Sequence, residues 1–551
     1  MGPAARAGRL IAWAVLLLAV GLAAAVRVRL IGVPLERDEG EFAYAGQLLL
    51  RGIPPYRFAY NMKLPGTYAA YAAIMSVCGQ TARGIHLGLL AVNLATVVLL
   101  YLLAHRLFDE RTGATAAACY ALLSLSQGVF GVFAHATHFV VLPVLAGSLI
   151  LAREIDAGAA PPRPPRWPAL LVSGAFFGTG FVMKQHGIFF VLSGAAWLAW
   201  ELADRKDRPG RIVGRCAGFL LGAFIPFGLT CALLAAAGVF RDFWFWTFDY
   251  ARAYVSEVAL SDGVTMFVQT IRGVAAPALP LWILAAAGAT APLWDDAVRR
   301  RVRFLAVFVA GSLLSICPGF YFREHYFVLL LPAVALLAAV VVRSGGRALA
   351  KWLTAGQESA REAGLAEILP ILVLGAALLY PVFQEKTFFF SLTPSQASRR
   401  TYGANPFPEA VEIARRIAAD TAPDDRVAVL GSEPEIFFYS GRRSATGHIY
   451  MYGLMESQPY ASRMQLSAIK EIEASEPKYL VYVNVPFSWL VRPDSDTTIL
   501  TWARTYIAAH YEVAGVADIV SDDSTVYAWG EEAVRYVPRS PYVVYVFRRI
   551  S

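Results

Sequence analysis

A chain of 551 residues would ordinarily fold as three or four soluble domains. Composition excludes that here: 57% of residues are hydrophobic, 16% are charged, and mean hydropathy is +0.49. Globular cores cannot hide so much apolar surface, so an α-helical polytopic membrane protein is expected. The 49 Lys+Arg against 41 Asp+Glu give a net charge of +8, a sign suited to anionic lipid headgroups. These basic residues are spread through short loops instead of gathered on one face, which argues against nucleic acid as a partner.

Eleven apolar windows carry the spanning signal: 10–30, 82–104, 113–134, 138–152, 168–183, 187–202, 212–239, 274–293, 304–320, 325–342 and 366–383. The first window lacks a small-residue cleavage site followed by a soluble domain, so it reads as an anchor and not a removed signal peptide. With the N-terminus in the cytoplasm, the inside loops include His105–Arg111, Arg153–Arg166, Asp204–Arg211, Arg299–Arg303 and Arg343–Arg361. They carry about twice the Lys/Arg density of the opposite side, as the positive-inside rule requires. Leu64–Cys78 is apolar but short. Counted as a span it would invert every later loop, so it reads as interfacial or re-entrant. The cysteines (Cys78, Cys119, Cys216, Cys231 and Cys317) all lie in apolar stretches, which speaks against a disulfide framework and against a Cys/His zinc site.

Residues 1–383 therefore form a transmembrane domain whose first outer loop is 33–81, and the composition changes from 384 to 551. There Pro408–Asp420 reads as a helix and Arg426–Leu430 as a strand, followed by Glu433–Tyr439. Ser462–Ser475 reads as a helix before the strand Tyr479–Val485, and Asp496–Ala509 precedes a strand-rich tail ending Tyr542–Phe547. Helices alternating with buried-type strands predict an α/β domain. With eleven spans it lies outside the cytoplasm.

The first outer loop carries the densest chemistry, LERDEGEFAYAGQLLLRGIPPYRFAYNMKLPG over 35–66. Phe42, Ala45, Gly46, Leu49 and Leu50 recur at helical spacing, Glu41 and Gln47 lie off that stripe, and Gly52 follows the last turn. The pattern predicts a short amphipathic helix in the membrane surface. Asp38 and Glu39 sit at its start. Asp38-x-x-Glu41 has the form of a capping box, which gives Asp38 a structural duty; a carboxylate at the edge of hydrocarbon also suggests a functional one. Lys63, taken alone, reads as a snorkelling lysine; the functional reading is a cation for an interfacial phosphate.

Other outward turns repeat that chemistry. His135 and His138 flank the turn after the third span, Lys184, Gln185 and His186 form the turn between the fifth and sixth, and Phe320–Tyr326, with Arg323 and His325, joins the ninth and tenth. With His86, five of the eight histidines fall on or near the outer side. Guanidinium and ammonium groups at a low-dielectric edge suit a phosphate ester, so an anion site on the outer leaflet is expected.

Asp38-Glu39-Gly40, the amphipathic helix and Lys63-Leu64-Pro65-Gly66 together resemble the bacterial polyprenyl-phosphate-dependent glycosyltransferases of the GT-C class. These include relatives of the protein O-mannosyltransferases and of the lipid A aminoarabinose transferase, whose usual form is Asp-Glu followed by Lys-Pro-Pro; Leu64 stands here in place of the first proline. Arg323-Glu324-His325-Tyr326-Phe327 resembles an element near the end of the family's span set, and Gly431–Ile436 with Ser440-Gly441-Arg442 resembles the start of its outer domain. The resemblance implies a sugar donor on polyprenyl phosphate, a lipid bilayer around the protein, and a glycan, lipid or protein acceptor on the outer face of a prokaryotic inner membrane. It implies Asp38 as catalytic base with Glu39 as fallback, and Lys63 on the donor phosphate. Arg323 and His325 are added as phosphate candidates, with Lys184 and His186 behind them; His135, His138, Glu433 and Glu435 are candidates for the acceptor or for support. No cofactor is called for, and a divalent cation has no support in the sequence. The competing class is a transporter or flippase for a lipid-linked sugar. Such proteins are often built from repeats with midplane charges, and the sequence shows neither.

Overall fold

The structure is a computed structural model and describes residues 3–155, 164–353 and 360–550. The inside loops expected at 153–166 and 343–361 thus lie partly outside the described residues.

Among the described residues, seven helices are long and apolar enough to cross a membrane: Arg6–Arg29, Ala82–Leu107, Ala136–Ile155, Gln185–Asp204, Pro209–Ala236, Leu260–Leu293 and Leu331–Trp352. Trp167–Met183, Val302–Ser315 and Ile368–Gln384 are shorter apolar helices that fall on three further windows, and Gly66–Cys78 is the short apolar stretch of the first loop. Three windows begin or end differently from expectation. The helix beginning at Glu110 stops at Leu123, the helix of 304–320 stops at Ser315, and 325–342 opens as a 3₁₀ stretch, Glu324–Leu329, before the α-helix from Leu331.

The early stop at Leu123 has a physical cause. Arg27, buried at the end of the first helix, donates to Ser124 O at 2.8 Å and Gly131 O at 2.7 Å. Glu385 accepts from the Ser126 hydroxyl and the Gln127 amide, each at 2.8 Å. Irregular backbone at apolar depth survives only where protein groups satisfy it. A buried arginine and a buried glutamate do so here.

The chain divides into two compact units. The first comprises Met1–Arg29, Gly88–Thr230 and Val258–Ser391; the second comprises Leu30–Leu87, Cys231–Glu257 and Leu392–Ser551. The second unit holds a six-stranded sheet in the order β2-β1-β3-β6-β4-β5, built from β1 (Arg426–Leu430), β2 (Arg443–Ser444), β3 (Tyr479–Asn484), β4 (Tyr511–Ser521), β5 (Ser524–Trp529) and β6 (Val543–Arg549). β1 pairs in parallel with β2 and β3, whereas β6 runs antiparallel to β3 and β4, and β4–β5 is a hairpin. Val427, Ala428, Val429 and Leu430 are all buried, the continuous apolar run expected of a central parallel strand. Helices Phe407–Ala419, Ala461–Ser475 and Thr498–His510 fall within a residue or two of their expected positions.

The segment 33–81, expected as the first outer loop, belongs to this same unit. Its helix Arg37–Leu50 is buried on nearly every side from Glu39 to Leu48, so it is not the half-exposed surface helix expected. Glu41 and Gln47, assigned to a polar face, are 0% and 5% exposed. Gly40 explains the close packing. A Cβ there would stand 2.6 Å from the Glu435 amide nitrogen, so only glycine lets this helix lie against the Glu435–Ser440 helix. Tyr44 supports the same contact, its hydroxyl accepting the Ser444 amide at 2.8 Å.

Candidate active site

Helix Arg37–Leu50 begins two residues earlier than a cap at Asp38 requires. Glu36 is the N-cap; its carboxylate accepts the Glu39 amide at 2.9 Å, and the Glu39 side chain accepts the Glu36 amide at 3.2 Å. The capping box is therefore Glu36–Glu39, and the expected Asp38–Glu41 box does not form. The register places Asp38 and Glu41, three residues apart, on one helix face.

That face meets Lys63. Its Nζ donates to Asp38 Oδ1 at 2.7 Å and to Glu41 Oε2 at 2.6 Å, and lies 4.6 Å from the centre of the Phe42 ring. Lys63 is thus not a snorkelling lysine, since its ammonium is held inward by two carboxylates. The backbone is fixed as firmly: Tyr56, in the left-handed region at φ 66°, donates its hydroxyl to Lys63 O at 2.7 Å. Pro65 then starts the helix Gly66–Cys78.

Glu41 is the buried arm of this group. It also accepts from Asn61 Nδ2 at 2.8 Å and from the Tyr68 hydroxyl at 2.5 Å. Burial raises its pKa above the ordinary carboxylate value, although Lys63 beside it pulls the other way. Burial by itself would lower the Lys63 pKa, but Asp38 and Glu41 outweigh it and the ammonium is held above the usual lysine value. Asp38 is the accessible arm, its side chain 25% exposed against 0% for Glu41. Tyr450, from the C-terminal part of the unit, donates its hydroxyl to Asp38 Oδ1 at 2.8 Å. The result is an ammonium between a buried, saturated carboxylate and a reachable one.

Glu39 is turned elsewhere. It is fully buried and pairs with His86 Nε2 at 2.9 Å, while His86 Nδ1 lies 3.0 Å from Ile31 O. It braces the helix start through the capping box with Glu36. Arg37 points to the far side, donating to Ser432 O at 2.5 Å, Asn405 Oδ1 at 2.9 Å and Glu433 Oε1 at 3.2 Å. Glu433 also accepts from Ser488. Glu435 is buried, and among the described residues neither of its carboxylate oxygens has a hydrogen-bond partner. Neither glutamate reaches solvent in this structure.

Burial lifts the Glu435 carboxyl well above its ordinary value of 4.5, and Glu433 adds to the lift. Folding thus favours the protonated acid, whereas the unfolded chain ionises near 4.5. The folded state binds more protons above that pH, so this group costs stability progressively as pH rises. Glu435→Gln removes the cost. Its melting temperature should fall less than wild type between pH 5 and pH 8, and parallel curves for the two proteins would reject the assignment.

The first unit gathers the other expected cations. His135 stacks on His325 with ring centres 4.2 Å apart, and Tyr326 meets His325 at 4.8 Å and His186 at 4.7 Å. Lys184 Nζ lies 4.0 Å over the Tyr326 ring, and His186 Nδ1 lies 2.6 Å from Ser315 O. Three turns distant in sequence thus meet at His325 and Tyr326. Arg323 packs over Tyr321 at 5.5 Å. His138 is buried in the first turn of its helix, and among the described residues neither of its ring nitrogens has a hydrogen-bond partner. Sequence reasoning passed over Tyr450, Asn61 and Tyr68. Asn61 and Tyr68 flank Lys63 closely enough to have been suspected, but nothing in the sequence links Tyr450 to Asp38, 412 residues away.

A family model described as dolichyl-phosphate-mannose-protein mannosyltransferase matches residues 63–228, beginning at Lys63. The chain is 27% identical over 393 residues to an undecaprenyl phosphate-alpha-4-amino-4-deoxy-L-arabinose arabinosyl transferase of Pseudomonas aeruginosa, an alignment spanning 68% of this chain and 67% of that one. In structure it is similar to ArnT from Cupriavidus metallidurans bound to undecaprenyl phosphate, with a TM-score of 0.59 at 15% identity over 97% of each chain. The chain has the GT-C fold. The GT-C resemblance extends to an archaeal oligosaccharyltransferase, AglB from Archaeoglobus fulgidus, with a TM-score of 0.53 at 14% identity over 94% of this chain and 74% of that one.

Proposed function

We propose that the protein is a membrane glycosyltransferase that moves a sugar from a polyprenyl-phosphate donor to an acceptor hydroxyl at the outer face of a bacterial inner membrane. One observation carries the reading: a reachable carboxylate, Asp38, lies 2.7 Å from an ammonium that a second, buried carboxylate holds in place. Transfer to a hydroxyl from a phosphate ester needs a proton acceptor and a cation on the leaving group. The relatives' names supply the donor class. In the proposed step the acceptor oxygen attacks the anomeric carbon, its proton passes to Asp38, and the sugar–phosphate bond breaks. Polyprenyl phosphate leaves with the electron pair and is met by Lys63. Arg323 and His325, with Lys184 and His186 behind them, are further proposed phosphate ligands, and Glu39 acts by fixing the helix start that presents Asp38.

The assay is purified protein incubated with undecaprenyl-phosphate sugar and membrane extract. Transfer with release of undecaprenyl phosphate is expected. Movement of the lipid across a vesicle wall without transfer would instead select a flippase, a class that the relatives do not favour.

The proposed topology has eleven spans, the transmembrane part over 1–383, the N-terminus inside, and residues 384–551 outside. Ser457 is exposed in that outer part. In a background without the native cysteines, Ser457→Cys should react with an impermeant thiol reagent in intact spheroplasts. Labelling only after lysis would invert the topology.

A further inference from the structure

Asp38 receives a second donor from a distant part of its own unit. Tyr450 lies between β2 and the helix Ala461–Ser475. Its hydroxyl is 2.8 Å from Asp38 Oδ1, the oxygen that Lys63 Nζ also meets at 2.7 Å, and 3.4 Å from Nζ itself. We propose that Tyr450 is a positioning residue for the transfer step, an inference that rests on Asp38 being the base: its phenol fixes the Asp38 carboxylate and favours the ionised form that takes the acceptor's proton.

The phenol is itself held in place from both sides. Before it, Gly447 O accepts the Tyr60 amide at 2.7 Å, and the Gly447 amide donates to Glu471 Oε2 at 2.9 Å. A Cβ at Gly447 would stand 2.3 Å from the Tyr60 ring, so glycine is what lets this stretch lie against the segment that carries Lys63. After it, the Met451 amide donates to Ser432 Oγ at 2.9 Å, and that hydroxyl donates to Ser488 O at 2.6 Å. The neighbours Ile449 and Met451 are both buried. Tyr450 thus reaches Asp38 from backbone anchored at two points, one of them on the Lys63 segment.

The chemistry follows from which oxygen is held. An aspartate carboxylate turns about two side-chain bonds, and two donors converging on Oδ1 fix both. Lys63 is one of them, but in the proposed step its ammonium also meets the departing phosphate, which draws it away from Asp38. The neutral phenol stays on the carboxylate throughout. Burial and the Asp38 charge lift the Tyr450 phenol well above its ordinary value of 10, so it keeps its proton at neutral pH and acts only as a donor. Hydrogen bonds to the ionised form of an acid favour that form, which keeps the base in the state that the reaction needs.

Tyr450→Phe removes the hydroxyl and keeps the ring that packs on Tyr452 and faces Lys63. The test measures transfer from undecaprenyl-phosphate sugar across pH with the full chain in one detergent, beside Asp38→Asn and the Asp38→Asn/Tyr450→Phe double variant. Tyr450→Phe should lower kcat about tenfold and leave the KM for the donor unchanged, the loss of one hydrogen bond to a charged group. The acid limb of its kcat profile should move up by about one pH unit, because a carboxylate that loses a donor holds its proton to higher pH. Lys63, Glu41 and Glu36 also act on Asp38 and are the same in both proteins. In the Asp38→Asn background the second change should cost no further rate, since the group it serves is gone. A Tyr450→Phe protein with wild-type kcat and acid limb would overturn the proposal while a slow Asp38→Asn left the base assignment standing. A slower variant whose acid limb is unmoved, or an equal fold-loss in both backgrounds, would overturn it too, since either marks lost packing. Near-normal transfer by Asp38→Asn would instead remove the base assignment, and the role of Tyr450 with it.

Discussion

Asp38→Asn should slow sugar transfer by about 10²–10⁴-fold while leaving thermal stability close to wild type. A general base must accept a proton, and an amide cannot do so at neutral pH. The usual objection to such a variant is that it removes a helix cap. Here the cap is Glu36, with Glu39 completing the box, so Asp38 carries no capping duty. Its ion pair with Lys63 joins two side chains that are each about a quarter exposed, and pairs of that kind contribute at most about 1 kcal/mol. Asparagine also keeps an oxygen for the Tyr450 hydroxyl. Asp38→Glu retains a base displaced by one methylene, and misplacement by about 1 Å can cost about 100-fold. Transfer rate and melting temperature measured side by side in one detergent decide the matter. A stable Asp38→Asn protein with near-normal transfer would remove the base assignment, and collapse confined to Glu39→Gln would pass the role to Glu39.

Lys63→Met should abolish transfer and also lower stability, and the two losses should be separable. The ammonium neutralises Glu41, which is fully buried. Removing one partner of a buried pair leaves the other charge uncompensated, at a cost of about 3–5 kcal/mol. Glu41 can evade part of that cost by taking up a proton, because burial already raises its pKa. Adding Glu41→Gln removes the stranded charge while keeping partners for Asn61 and Tyr68. The Lys63→Met/Glu41→Gln double variant should therefore recover most of the melting temperature of wild type and none of its transfer. If it recovers both, Lys63 serves only to neutralise Glu41 and the donor phosphate is bound by other groups. A Lys63→Met protein as stable as wild type would show that Glu41 is not ionised beside it.

Much of this arrangement was legible in the residues. Asp38 and Lys63 stood out because carboxylate and ammonium are costly beside hydrocarbon, and the structure brings them together. The strand Arg426–Leu430 was readable from its continuous apolar run, which buries on both faces. Glu41 was misplaced for an equally physical reason. Helical periodicity separates an apolar stripe from a polar one, but it does not register a helix packed on nearly all sides, where a polar residue must find an inward partner. Lys63 read alone is a surface lysine. Only the Tyr56 hydroxyl on its carbonyl and the two carboxylates beneath it turn its ammonium inward.

What the sequence determined by itself was the solvent and the broad architecture: composition forces most of the chain into apolar helices, and alternating helix and strand patterns specify the α/β part. These follow from local periodicity and from the sum of transfer free energies, which need no knowledge of neighbours. The tertiary structure alone decided the start of the first-loop helix at Glu36, the end of the helix at Leu123 where Arg27 takes up the following carbonyls, and the arrival of Tyr450 at Asp38. Each depends on a partner distant in the chain, and a buried polar group is stable only where such a partner meets it.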